Sequence, residues 1–295
     1  VCIARLGVAP MEIKLREGRP EDARACGAIA YEAFKSIAEE HKFPPDFPNP
    51  ENAVMVLSFL LASPGFHKVV AELDGRVVGS NFLDERNPIA GIGPITVDPT
   101  VQNRAIGRRL MQAVMERTAA RNFPGVRLVQ AAYHCRSLSL YTKLGFDSRE
   151  PLSVFQGAAL NLSVPGCVVR QACDDDLEEC ARLCIRVHGH DRTGEMRDAL
   201  RPGHAAVVER AGRITGYTSA IAFFGHAVGE TNDDLKALIG AAESFGGPGF
   251  LVPTRNGGLM RWCLNNGLRI VMPMTLMTVG LYNEPAGAYL PSVVY

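Results

Sequence analysis

Apolar positions in this chain change period in a fixed order. Glu12–Arg16 alternates as a strand. The spacing then turns helical, with Cys26, Ile29, Ala30, Phe34 and Ile37 on one face of a helix running to about Glu40. Ahead of it, Gly18-Arg19-Pro20-Glu21-Asp22 puts a proline and two acids in a first turn, where both are favoured. The run from Phe43 to Pro50 is too rich in proline to be helical and reads as a loop; a second helix follows from Glu51 to Ala62. Lys68–Leu73 and Arg76–Phe82 read as strands around Asp74-Gly75, a strong hairpin signal. Gly91–Val97 reads as a buried strand ended by Asp98-Pro99, and Asn103–Asn122 as a long amphipathic helix with Ile106, Leu110, Ala113 and Val114 inward. The strand Val126–Ala132, the helix Arg136–Leu144 closed by Gly145, and a last strand from Leu152 to Phe155 complete the series.

The series then begins again. Arg16-Glu17-Gly18-Arg19-Pro20-Glu21-Asp22 is echoed by Arg170-Gln171-Ala172-Cys173-Asp174-Asp175-Asp176, with a helix after each. The hairpin Val69–Gly79 is echoed by Ala206–Gly216. A repeat of this length is a duplicated domain rather than a solenoid, whose periods are about 20–50 residues. The expected division is an N-terminal extension over residues 1–11, a first domain over 12–160 and a second over 167–295, with Asn161, Pro165 and Gly166 as linker.

Composition narrows the field without naming a substrate. The chain has 295 residues, 31 of them basic and 31 acidic, so nothing favours a nucleic-acid or membrane-surface partner. No apolar run reaches the roughly 18 residues that span a bilayer, and residues 1–10 do not read as a signal peptide. Eight cysteines without Cys-x-x-Cys or zinc-finger spacing read as reduced thiols in a cytoplasmic protein with no metal site.

Two segments carry chemistry. In Val97-Asp98-Pro99-Thr100-Val101-Gln102-Asn103-Arg104-Ala105-Ile106-Gly107-Arg108-Arg109, a strand runs through a turn into a helix N-terminus. Unpaired N–H groups and the helix dipole make such a place an anion site. Ala105 and Gly107 keep the approach open, and Arg104, Arg108 and Arg109 add charge; an ordinary amphipathic helix with a solvated basic face explains the segment equally well. The second segment is His134-Cys135-Arg136-Ser137-Leu138-Ser139-Leu140-Tyr141-Thr142-Lys143-Leu144-Gly145-Phe146.

Together, in this order, the two segments resemble the GNAT superfamily of acyl-CoA-dependent N-acyltransferases over about residues 12–157. The family's phosphate loop, Gln/Arg-x-x-Gly-x-Gly/Ala, is similar to Gln102–Gly107, with Ala105 replacing the first glycine. Its later signature, Asn-x-x-Ala/Ser-x-x-Leu-Tyr-x-x-x-Gly-Phe, is similar to His134–Phe146, with His134 replacing asparagine. The resemblance implies an α/β (α+β) fold of two GNAT-like domains, each a mixed, mostly antiparallel sheet flanked by helices. It implies acetyl-CoA as cofactor, held by Ile95, Thr96 and Val97 on a splayed strand, by Gln102 to Arg109, and by His134, Ser137 and Tyr141.

It further implies direct acetyl transfer to a primary amine of a small molecule or peptide. Tyr141 would protonate the leaving thiolate, and a backbone N–H near Ile95–Val97 would polarise the thioester carbonyl. The base stays open among Asp84, Glu85, His134 and a water chain; His134 reads equally as a structural histidine. Cys135 has no activating neighbour in sequence. The acceptor pocket is expected between the first two helices and the loop Phe43–Pro50, with Phe43 and Phe47 as lining and the second domain as a further wall. In that second domain Cys263 falls where tyrosine belongs, and Glu230, Asp233 and Asp234 replace the phosphate loop, so it reads as non-catalytic. The tail Gly287–Tyr295 is expected to form a closing strand. The alternatives are a non-catalytic CoA-binding sensor or scaffold, and an interaction protein with both sites decayed. Monomer and homodimer are both compatible with the sequence.

Overall fold

The computed structural model describes residues 12–294; the expected extension over residues 1–11 and Tyr295 lie outside that range. The first half runs β1 (Ile13–Glu17), α1 (Ala23–Glu40), α2 (Pro50–Ala62), β2 (Phe66–Leu73), β3 (Arg76–Asp84), β4 (Ala90–Ile92), β5 (Thr96–Val97), α3 (Ile106–Ala120), β6 (Gly125–Ala131), α4 (Cys135–Lys143) and β7 (Asp147–Gln156). Residues 157–167 hold no helix or strand. The second half runs β8 (Val168–Gln171), α5 (Leu177–His188), α6 (Thr193–Leu200), β9 (Ala206–Arg210), β10 (Arg213–Thr218), β11 (Ala227–Gly229), α7 (Asn232–Ala241), β12 (Phe250–Pro253), α8 (Gly257–Asn265), β13 (Arg269–Gly280) and β14 (Ala288–Leu290).

The repeated segments fold alike because they repeat one ion-pair network. Arg16 reaches Asp22 and Glu72, each at 2.7 Å, tying β1 to the start of α1 and to β2. Arg170 reaches Asp176 and Glu209, also at 2.7 Å, and ties β8, α5 and β9 in the same way. The arginine holds the Asp176 carboxyl down to about 2, and lowers that of Asp22 in the same direction.

The mixed α/β architecture contains mostly antiparallel strands, but the halves share their sheet. The large sheet is ordered β1-β2-β3-β4-β6-β13-β7-β12, so a strand of the second half lies between two of the first. β13 pairs antiparallel with β6 from Met274–Ala131 to Gly280–Gly125, and with β7 from Arg269–Gln156 to Thr278–Asp147. β7 in turn pairs with β12 of the second half. The two long strands exchange places about a local twofold at the pair Leu152–Met274. Pro151 opposite Thr275 and Pro273 opposite Ser153 are related by it. Met272, Met274 and Leu276 pack with Leu152, Val154, Leu251 and Phe223 in a core that belongs to both halves.

α1 and α2 pack on one side, with Cys26, Ala30, Leu57 and Leu60 against Val70 and Phe82. α3 and α4 close the other, with Ile106, Leu110, Val114, Tyr141 and Phe146 against Val69, Val126 and Leu128. The expected strand Gly91–Val97 is interrupted: Gly93-Pro94-Ile95 separates β4 from β5. β4 pairs with β6 only at Ala90–Val126 and Gly91–Arg127, while β5 pairs with β3. Beyond Gly91 the sheet opens into a V.

Candidate active site

The V is the mouth of a cavity of about 750 Å³. Ile92 to Val97 line one wall, and Leu128 to Ala131 the other. The base of the opening is the turn into α3. That helix begins at Ile106, three residues later than its apolar spacing suggests, because Asn103 (φ 68°) and Ala105 (φ 60°) take the left-handed conformation. The Arg109 N–H donates to the Ala105 carbonyl at 3.0 Å, so the N–H groups ahead of it point out of the helix end. A Cβ on Gly107 would meet only Val97 and Leu140, at 3.7 and 3.8 Å, which leaves that surface open towards the cavity.

Left-handed backbone costs a non-glycine residue roughly 1–2 kcal/mol. Ala105→Gly is therefore expected to raise stability by about 0.5–1 kcal/mol after the extra chain entropy of glycine is subtracted. Denaturant melts would show a higher midpoint; a lower one would contradict the strain.

Gln102, Asn103, Ala105, Ile106, Gly107 and Arg108 all line the cavity, as do Ile95, Thr96 and Val97. The exposed side chains of Arg104 and Arg109 stand outside that lining. The Gln102 amide donates to the Val97 carbonyl at 3.5 Å, and Arg136 donates to its oxygen at 2.7 Å, which links β5 to α4.

α4 supplies the other reactive groups. Tyr141 is buried in the cavity wall, one turn before Gly145 (φ 94°) ends the helix and Phe146 enters the core. Burial pushes its phenol up to about 12, with a Ser137 hydrogen bond as the smaller, opposing influence. The Ser137 hydroxyl also lies 2.8 Å from His134 Nδ1. His134, Ser137 and Tyr141 thus form one hydrogen-bonded row along the helix. Burial, with Arg136 and His41 nearby, lowers the His134 pKa and favours the neutral imidazole.

Glu85 does not join them. It pairs with Arg117 at 2.7 Å and with Arg121 at 3.6 Å on α3 and just beyond it, outside the cavity lining. Arg117 lowers its pKa, so the acid is a clamp between the end of β3 and α3 rather than a base in the cleft. Asp84 is likewise held by Arg86 at 2.5 Å, and Arg86 continues to Asp198 of the second half. The acids that do line the cavity are Glu40 and Asp46. Asp46 is missing from the sequence-based candidates because the loop carrying it has no periodic pattern; its place between Pro45 and Phe47 in the expected acceptor loop is the signal that could have found it.

The second half has no equivalent opening at α7. Thr231 and Asp234 cap that helix, with the Thr231 N–H donating to Asp234 at 2.8 Å. Asp234 is wholly buried and accepts from Thr215 at 2.6 Å and from Arg210 at 3.1 Å. Asn232 and Asn256 exchange amide hydrogen bonds of 2.8 and 2.9 Å between α7 and the start of α8. Glu230 is neutralised by Arg213 at 2.6 Å, and Asp233 by Lys236 at 2.8 Å. The helix end is therefore filled by its own side chains, a different obstacle from the charge repulsion expected of these acids. Cys263 is buried at the place of Tyr141.

Residues 31–146 match the model of the acetyltransferase (GNAT) family. The match lies within the first half of the chain. A putative acetyltransferase from Pyrococcus horikoshii has the same fold over 97% of both chains, with a TM-score of 0.72 and 17% identity. A tandem GNAT protein from the clavulanic acid biosynthesis pathway covers 95% of this chain and 100% of its own, with a TM-score of 0.54 and 15% identity. These likenesses carry the tandem GNAT fold. In sequence, an IAA acetyltransferase from Azospirillum brasilense is 29% identical over 35% of this chain and 68% of its own length. Matches to two mycothiol acetyltransferases take in 28% and 25% of those proteins, about a quarter of each. Acetyl transfer is the activity of the family matched. Among the described residues, no cluster of His, Cys, Asp or Glu is arranged to hold a metal, and no helix is long and apolar enough to cross a membrane.

Proposed function

We propose that the protein is an acetyl-CoA-dependent N-acetyltransferase whose working site lies in the first GNAT domain. The observation that carries this reading is the meeting of an open V, a left-handed turn before a helix N-terminus and a protonated tyrosine in one cavity. The residues present fit the cofactor. The N–H groups at the start of α3, with Arg108 beside them, suit a pyrophosphate. Gln130 is 5% exposed, lines the cavity and has no hydrogen-bond partner for either amide atom among the described residues, so it suits the amides of a pantetheine arm.

Acetyl-CoA, when bound, supplies an acyl thioester and a sulfur leaving group. Around it the chain holds a proton on the Tyr141 oxygen in the cavity wall, where it could be given to the leaving thiolate. Ser137 steadies that phenol and connects it to neutral His134, which can accept a proton in return. Between Gly91 and Thr96 the Gly93 N–H donates to the Phe82 carbonyl and Pro94 has none, which leaves the Ile95 N–H as the backbone donor for the thioester carbonyl.

Calorimetric titration of the whole chain with acetyl-CoA is expected to give one site. Gly107→Glu, which places a carboxylate at the mouth of the anion site, is expected to abolish that heat while leaving the fold intact, since the position is uncrowded. Two sites would place a cofactor in the second half as well. No heat from the unmodified protein would refute the reading.

A further inference from the structure

Away from α3 and α4 the cavity continues into a compartment whose walls come from both halves. α1 and the following loop contribute Phe34 and Phe47, whose rings lie 6.0 Å apart. The second half contributes Phe223, Phe224 and Val293. The loop is fixed in place by Phe43, which stacks on Tyr133 at 4.2 Å. The tail is fixed too: the Val293 N–H donates to Phe223, and the Val294 carbonyl packs so tightly on Gly91 that a Cβ there would come within 1.9 Å.

Charge in the cavity is segregated by element. Its arginines, Arg108 and Arg136, belong to α3 and α4; its acids, Glu40 and Asp46, belong to α1 and the loop after it. Glu40 is exposed, whereas Asp46 is half-buried. Among the described residues Asp46 has no ion pair and no hydrogen bond of its own. A carboxylate held against apolar walls without a partner is stabilised by a cation brought to it.

We infer that this compartment takes, as acetyl acceptor, a singly charged amine carried on an apolar body of aromatic size, with Asp46 anchoring the ammonium and Phe47 and Phe223 holding the body. The inference rests on the acetyltransferase reading for the word acceptor, but binding itself does not. Burial, which pushes the Asp46 carboxyl up to about 6, agrees with it: the group is ionised at neutral pH yet poorly solvated. Tyr133, Glu40 and His41 are the titratable neighbours in the same wall. The second half then has a role at the site despite its filled helix end, since it closes the acceptor side.

The probe is 2-phenylethylamine, with spermidine as a polycation lacking a ring and 3-phenylpropionate as a ring with the wrong charge. Binding to the whole chain is followed by ligand-observed NMR without cofactor, and acetylation by thiol release with acetyl-CoA. 2-Phenylethylamine is expected to bind and to be acetylated in preference to both comparators. Asp46→Asn should weaken its binding at least tenfold, and Asp46→Glu should restore part of the loss. Phe223→Ala should weaken it about fivefold. Acetyl-CoA affinity should stay unchanged in all three variants. Preference for spermidine, or an unaltered affinity in Asp46→Asn, would overturn the inference and leave the acetyltransferase reading standing. Amine binding without any acetyl-CoA binding would overturn the acetyltransferase reading and with it the acceptor role, while supporting the amine compartment.

Discussion

A fragment ending at Leu160 is expected not to fold as a monomer. It would contain every element of the first half, but β6 and β7 would face an empty slot where β13 belongs. Met272, Met274, Leu276 and Met277 of β13 are each at most 4% exposed. At about 1.5–3 kcal/mol for each buried side chain of this kind, their loss removes on the order of 6–12 kcal/mol, comparable to the roughly 5–15 kcal/mol total stability of a typical protein. The three bared strand edges, one on β6 and two on β7, would also recruit other chains. Size-exclusion chromatography and circular dichroism of residues 12–160 should report aggregates or a strand-exchanged dimer. Co-expression with residues 161–295 should restore a soluble pair. A monomeric fragment with a cooperative melt would contradict the shared sheet as the source of stability.

Tyr141→Phe is expected to lower kcat about a hundredfold, with acetyl-CoA affinity within twofold of the unmodified protein. The lower end of the usual 10²–10⁴ range for a lost acid applies, because water can replace part of the function. The ring should stay where it is, edge-on to Phe146 at 6.3 Å, and Ser137 keeps His134 as a partner at 2.8 Å. The split between kcat and affinity separates a proton donor from a packing residue. Steady-state kinetics with the accepted amine, beside a calorimetric titration, checks it; an unchanged kcat would move the acid elsewhere.

What the sequence makes legible is local. Asp74-Gly75 closes a hairpin, Gly145-Phe146 ends α4 and aims Tyr141, and the doubled Arg16 and Arg170 segments repeat one ion-pair network; each depends on neighbours or on a motif with its own mechanics. What escapes is settled by distant partners. Glu85 is captured by Arg117, 32 residues on, which no pattern around Glu85 announces. Asp234 reads as a repelling charge until Arg210 and Thr215 are found beside it. The position of β13 is least legible of all: nothing in its own residues says which strands flank it, and here both flanks come from the other half.

The exchanged strands also put the molecule's biosynthesis under a constraint. β7 leaves the ribosome with Gln156, but its neighbour β13 is complete only at Gly280, 124 residues later. At about 5–20 residues per second, that is a delay of roughly 6–25 seconds. During it the first half carries an unsatisfied edge on β6, and β7 waits for partners on both sides. Slow codons placed between the halves would lengthen the exposed interval instead of helping the first half to finish.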